Sequence, residues 1–287
     1  LTFKTKIFNS IRSFFKWKPA ERWIIRLVKG KTADSFIAKW LPNHNQYSRP
    51  SFRRVIRSGI NYELDISDLM DWFVYFGLVE KSKSELFRLM KKGDVIFDIG
   101  ANLGEISLNA AKITEETGLV YSFEPGKKNF EKLSRNIELN NFKQLSAFQI
   151  ALSDRPGKGK EVIREPNNSG MNAVNYSDEG DFSIVTLDQF MAENPVMKID
   201  LIKIDTEGFE MNVLKGGQKT LEHYHPVLFV EVDNDNLQRN GSSAFELISF
   251  ISKTGYKITN AQTGEVVSEN NRFENCHFDL IAKPEFS

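Results

Sequence analysis

Four residues in the run Asp98-Ile99-Gly100-Ala101-Asn102-Leu103-Gly104 could do chemistry together, because an apolar stretch there gives way to helical periodicity. Gly100 lets the backbone turn with no Cβ in the way of a ligand. Asn102 stands where a dinucleotide fingerprint has its second glycine, and asparagine tolerates left-handed backbone better than most residues. Gly104 lets the following helix pack closely. Such a turn also recurs as plain turn chemistry, so alone it names no ligand. Glu124 narrows the choice. It ends the next apolar run, 20 residues after Gly104, where a carboxylate can accept hydrogen bonds from both hydroxyls of a ribose. Turn and acid together point to a ribose-containing cofactor. Leu103 and Pro125 adjoin these groups and are assigned to the same binding surface. Ala151 and Leu152 end a third apolar run, where an adenine ring would lie.

The spacing separates two cofactors. A dinucleotide needs G-x-G-x-x-G so that a helix N-terminus can approach a pyrophosphate. Here the pattern is G-x-x-x-G, and Asn102 would crowd that group. Asp98 would repel a pyrophosphate but attract the ammonium of a methionine moiety, or a water bridging to it. The expectation is S-adenosylmethionine, bound by Asp98, Gly100, Asn102, Leu103, Gly104, Glu124, Pro125, Ala151 and Leu152. An NAD-dependent oxidoreductase on a similar sheet is the alternative.

A second acidic block, Lys203 to Glu210 (KIDTEGFE), follows another apolar run. Asp205 and Glu207 are the candidate catalytic residues, placed to deprotonate or orient an acceptor hydroxyl. Glu207 and Glu210 could equally serve a helix N-terminus, which favours negative charge. These carboxylates could also hold a divalent cation, but no metal ligand is assigned, since no EF-hand spacing and no neighbouring histidine support one. The four histidines are poorly placed as bases. His223 and His225 precede a strand at its amino end. His277 falls within the last strand as a packed or edge residue. His44 could reach a site only if the N-terminal region folds over as a lid. The amide-rich stretch PNNSGMN (Pro166 to Asn172) sits in an insertion, Asp154 to Gly180, that is either a polyol-binding loop or an ordinary surface loop.

The elements that must position these groups alternate. Strands are expected at 95–99, 119–123, 148–152, 200–205, 226–232, 256–259 and 276–282. Helices are expected at 103–116, 129–140, 209–222 and 244–253. Strands alternating with helices of this length imply a doubly wound α/β domain with a mostly parallel sheet. Upstream, residues 1–45 form a basic amphipathic helical extension. Residues 1–31 carry nine basic residues and one acid, Glu21. Phe3, Ile7, Phe8, Ile11, Phe14 and Phe15 share one helical face, and Trp23, Ile24, Leu27 and Val28 share another. Residues 41–50 read as a linker. Residues 46–92 hold a hairpin and helices that cap the core domain, and 93–287 the cofactor-binding domain.

Lysines plus arginines equal aspartates plus glutamates, 38 each, so global charge predicts no nucleic-acid partner. The single Cys276 excludes an internal disulfide and a cysteine zinc site. Basic residues interrupt every apolar run near the start, so neither a secretory signal nor a membrane span is expected there. The expected setting is cytoplasmic. Peripheral membrane contact through residues 1–30 is an option, because basic amphipathic helices with aromatics can lie on anionic bilayers. Docking of the same face on the main domain is the other.

The blocks VIFDIGANLGEISLNAAK, GLVYSFEP, NIELNNF, ALSD, TLDQF, DLIKIDTEGFEMNVLKGG and PVLFVEVD, in this order, resemble those of the FkbM-type methyltransferases. The resemblance runs from about Ile60 to Lys283. It implies a class I methyltransferase (Rossmann-like) sheet of seven strands with the last antiparallel. It also implies S-adenosylmethionine bound by Asp98, Gly100, Asn102, Gly104 and Glu124, and O-methylation of glycans or secondary metabolites. The expected acceptor is a small molecule or glycan. A non-catalytic, membrane-associated scaffold is the remaining alternative. The N-terminal stretch is not part of the family pattern.

Overall fold

The computed structural model describes residues 3–285, with side chains described from residue 9 onward. The predicted apolar positions Phe3, Ile7 and Phe8 and the basic Lys4 and Lys6 therefore have side chains outside the described residues. Among the described residues thirteen strands follow in chain order: β1 (Phe52–Arg57), β2 (Ile60–Asp65), β3 (Val95–Ile99), β4 (Leu119–Phe123), β5 (Leu145–Phe148), β6 (Ile150–Leu152), β7 (Gly157–Val162), β8 (Ala173–Tyr176), β9 (Phe182–Val185), β10 (Leu201–Ile204), β11 (Val227–Asp233), β12 (Tyr256–Asn260) and β13 (His277–Pro284). Seven form the main sheet in the order β12-β13-β11-β10-β3-β4-β5. All neighbours are parallel except β13, which runs antiparallel to β11 and β12. This is the doubly wound α/β sheet with an antiparallel last strand that the sequence led us to expect.

Central parallel strands are covered on both faces, so they read as continuous apolar runs. Every residue of β3 is buried. Successive side chains point to opposite faces. Val95, Phe97 and Ile99 join one cluster, where Phe97, Phe123 and Phe190 pack ring against ring. Ile96 joins the other, with Leu103, Leu108 and Val120. That second face is roofed by the N-terminal region. Ile24, Val28, Tyr62 and Phe76 belong to the same cluster, so residues 18–92 and the sheet share one core.

Four sequence expectations need correction. The predicted strand 148–152 divides at Gln149: β5 closes the main sheet, whereas β6 pairs with β9 in a separate four-stranded sheet. An unbroken apolar run carries no mark of such a change of partner. The insertion 154–180 is not simply loop, because β7 and β8 form an antiparallel pair within it. The predicted helix 209–222 is two, Glu210–Gly216 and Gln218–Tyr224. A Cβ on Gly216 would lie 2.0 Å from the Ser153 carbonyl oxygen, and one on Gly217 2.7 Å from Leu187, so the close approach requires the glycine pair. Finally, residues 41–50 are a packed strap. Leu41 and Tyr47 are buried, and the Trp72 indole N–H donates to the Pro42 carbonyl at 2.9 Å.

After β5 the chain returns to place β10 against the other side of β3. The carboxyl ends of β3 and β10 therefore bound the crevice where the winding reverses, the usual ligand edge of such sheets.

Candidate active site

The turn after β3 is shaped by close backbone contact. Gly100 has φ +81°, and a Cβ there would sit 1.7 Å from the Asp205 carbonyl oxygen. Its N–H and that of Ala101 donate to the Phe123 carbonyl at 2.9 and 3.0 Å, which pins the turn to the end of β4. Asn102 follows at φ +49°. Its backbone N–H donates to Glu124 Oε2 at 2.9 Å, and the Gly126 N–H donates to Oε1 at 2.9 Å. The predicted turn and the predicted acid thus touch. Burial pushes the Glu124 carboxyl up to about 7, against the two backbone donors that favour its charge. Each carboxylate oxygen keeps a further acceptor site.

These groups line a single cleft of about 370 Å³, within the ~300–1,000 Å³ typical of small-ligand pockets. Gly100, Asn102, Leu103, Glu124 and Pro125 all face it, as do Ala151 and Leu152 on a neighbouring wall. Asp205 and Glu207 line the same cleft.

Asp98 and Gly104 do not. Asp98 is fully buried, accepts from the Ser107 hydroxyl and forms an ion pair with Lys203 Nζ at 3.3 Å. Its charge is met inside the protein by Lys203, so of the two expected contacts with a methionine ammonium, direct or through a water, the direct one is not available from the cleft lining. Gly104 is a packing glycine, as a Cβ there would fall 2.6 Å from Leu133 of the helix Lys127–Glu138.

Lys203 was not singled out from the sequence. It lies in β10 in register with Asp98 of β3. Its ammonium donates to the Gly100 carbonyl at 2.8 Å and pairs with Asp98 and, at 3.5 Å, with Asp205. Burial alone would lower the Lys203 pKa; the carboxylates of Asp205 and Asp98 raise it instead. One buried cation thereby ties the turn to the acidic block. The signal was a lysine inside an otherwise apolar central strand, where a charge must be paired.

The acidic side of the cleft is richer than Asp205 and Glu207. Glu231 near the end of β11 and Asp279 of β13, opposite each other in register, also line it. Burial, reinforced by Asp205 and Glu210, pushes Glu207 up to about 8. Burial and the neighbouring carboxylates also drive Glu231 upward. Glu207 holds a left-handed backbone at φ +57°, and its Oε2 accepts from the Asn236 amide at 2.8 Å. Arg164 Nη1 lies 3.7 Å from the same oxygen. Glu210, by contrast, accepts from the N–H groups of Thr206 and Gly208 at its own helix start, which is the capping role. Asp205, Glu207 and Glu231 each place a carboxylate oxygen within 4.8 Å of the others, so among the described residues this is the group that could hold a cation.

Of the two placements expected for His277, packed or edge, the structure shows the exposed one, on the ligand side. It is not packed, and as a residue at the strand end its side chain is exposed on the cleft wall, 3.2 Å from Asp233. Because β13 runs antiparallel, its first residue arrives at the ligand edge. His44, itself part of the strap, is buried outside the cleft lining, and burial lowers its pKa. The stretch 166–172 forms part of the wall. The Ser169 hydroxyl donates to Asp68 at 2.9 Å, its N–H bonds the same carboxylate, and Asn45 and Arg49 of the strap reach Asn167 and Pro166.

A family model described as the Methyltransferase FkbM domain matches residues 98–258, more than half of the chain. The chain belongs to this family. It is 27% identical over 155 residues to a hexuronic acid methyltransferase of Haloferax volcanii, covering 52% of this chain and 62% of that one. It is 29% identical over 160 residues to a 2-O-methyltransferase of Sinorhizobium fredii, covering 49% and 65%. The chain thus spans just under two thirds of the length of these curated relatives. Among solved structures, a methyltransferase FkbM from Methylobacillus flagellatus overlays with a TM-score of 0.41 at 16% identity, covering 68% of this chain and 44% of that one.

Proposed function

We propose that the chain is an S-adenosylmethionine-dependent O-methyltransferase acting on a hydroxyl of a neutral, polyhydroxylated acceptor such as a sugar. One observation carries this reading: the Gly100 turn and the Glu124 carboxylate share their cleft with Asp205 and Glu207. The cofactor fits the donor set. The buried Glu124 keeps acceptor capacity for two ribose hydroxyls, Ala151 and Leu152 offer an apolar wall for adenine, and the Gly100 turn admits a close-lying chain. When bound, the cofactor supplies an electrophilic methyl group.

The protein's own residues then orient and deprotonate. Asp205, anchored by Lys203, is placed to accept from an acceptor hydroxyl. Glu207 is raised to about 8, which suits a general base near neutral pH, and Asn236 fixes its rotamer. In-line displacement at a sulfonium gains much of its rate from such positioning. When ionised, the carboxylates of Asp205, Glu207, Glu231 and Asp279 outnumber the cations beside them, Lys203 and Arg164, so an anionic acceptor would then meet net repulsion. Neutral sugars are favoured over uronates, although one relative is named for a hexuronic acid. A nicotinamide cofactor has no support in the family.

The test is methyl transfer from labelled S-adenosylmethionine to neutral sugars, uronates and sugar nucleotides, with Glu207→Gln alongside. We expect transfer to a neutral hydroxyl, and a loss of about 100-fold or more in kcat for Glu207→Gln. Full activity in that variant would remove Glu207 from the chemistry, and preference for uronates would overturn the acceptor class.

A further inference from the structure

The two N-terminal helices do something the cleft does not explain. The helix Lys18–Val28 buries Ala20, Glu21, Ile24 and Val28 against the domain. Trp23 and Leu27 were expected on that same apolar arc, yet they face outward, 55% and 39% exposed. They are one turn apart and form a row. Arg22 and Arg26 form the adjacent row, also exposed, and Lys18, Lys29 and Lys31 are exposed at the two ends. The preceding helix, Phe3–Phe14, brings Phe14, 61% exposed, to within 6.2 Å of the ring of Trp17, itself 63% exposed. Phe15 touches Phe14 and stacks on Trp23 at 6.3 Å, which joins the rings into one patch. The acid in this stretch, Glu21, is buried and held by Arg53 and Tyr75, so it does not offset the surface charge.

We propose that this outer face is a docking surface for an anionic lipid bilayer. The pairing of the two rows is the reason. Tryptophan and phenylalanine lodge at the headgroup boundary, while arginine and lysine beside them meet lipid phosphates. A purely structural amphipathic helix would bury the apolar row, and this one buries only half of its arc. The rings ride on the outside of helices and line no part of the cleft, which disfavours a stacking groove for single-stranded nucleic acid. The surface is also wired to the cleft. Gln46 of the strap donates to the Asn9 carbonyl at 3.0 Å, and the same strap holds the 166–172 wall through Asn45 and Arg49. Docking would therefore be linked to the cleft wall through the strap, independent of which acceptor the enzyme takes.

The test is co-sedimentation of the full chain with vesicles of phosphatidylcholine alone and of phosphatidylcholine with about a third phosphatidylglycerol, at low and high salt. We expect binding to the anionic vesicles that falls with salt. The double change Arg22→Glu, Arg26→Glu should weaken it about tenfold or more with the melting temperature unchanged, because both side chains are exposed, and Trp17→Ser with Trp23→Ser about fivefold or more. No binding to anionic vesicles at low salt would overturn the proposal. So would equal binding to neutral vesicles. Concentration-dependent self-association through the patch, or retention of a single-stranded oligonucleotide in place of vesicles, would reassign the surface to another partner.

Discussion

The two halves of the cleft are built from different materials. On the donor side Glu124 is gripped by backbone, through the N–H groups of Asn102 and Gly126, and Gly100 is fixed by backbone contact with Asp205 and Phe123. On the acceptor side the carboxylates of Asp205, Glu207, Glu231 and Asp279 face one another and are held by side chains: Lys203, Asn236 and Arg164. A backbone-built site tolerates little change in shape, which suits the one invariant ligand proposed for it. A side-chain-built site can be rewritten residue by residue, which suits the variable acceptor.

If that contrast is right, the largest effect should come from the backbone half. Gly100→Ala places a methyl group 1.7 Å from a carbonyl oxygen at a positive φ. It should cost about 3 kcal/mol or more of stability by urea unfolding and abolish binding of S-adenosylhomocysteine. Tolerance of alanine with affinity intact would break the comparison.

The acceptor half should show a smaller, pH-dependent signature. Glu207 sits at about 8 in the folded chain against an ordinary 4.5. The folded state therefore holds the proton more tightly. The stability this site contributes is present below the ordinary value and is lost as pH rises through about 8. The melting temperature should fall across that window, and Glu207→Gln should lessen the fall by ~2–4 °C if about 1 kcal/mol is involved. An identical pH profile in the variant would mean that the carboxylates are not in conflict.

The same contrast explains what the sequence could tell. Asp98 to Gly104 and Glu124 are local to two adjacent strands, so their spacing already implied a shared turn and ligand. The mostly parallel character of the main sheet followed from the alternation of strands and helices, and its antiparallel last strand from the family resemblance. Glu231, Asp279 and His277 converge only because β13 runs antiparallel beside β11, a tertiary fact that no spacing encodes. The burial of Asp98 was hidden for a related reason: its partner Lys203 lies 105 residues away and meets it through strand register. The strap 41–50 looked like a linker because its buried contacts, through Leu41, Tyr47 and the Pro42 carbonyl, are irregular and leave no period. In the helix Lys18–Val28 periodicity located the apolar arc but could not say which half of it the domain would cover.

The most direct test of the shared adenosine cleft is calorimetric titration of S-adenosylhomocysteine into the intact chain and into Glu124→Gln and Glu207→Gln. Loss of hydrogen bonds to a charged group worth about 1.5–3 kcal/mol should weaken binding by roughly 10–100-fold in Glu124→Gln, while Glu207→Gln stays within about threefold of the unaltered chain. Equal affinity in the unaltered chain and Glu124→Gln, or no heat of binding in either, would contradict the account.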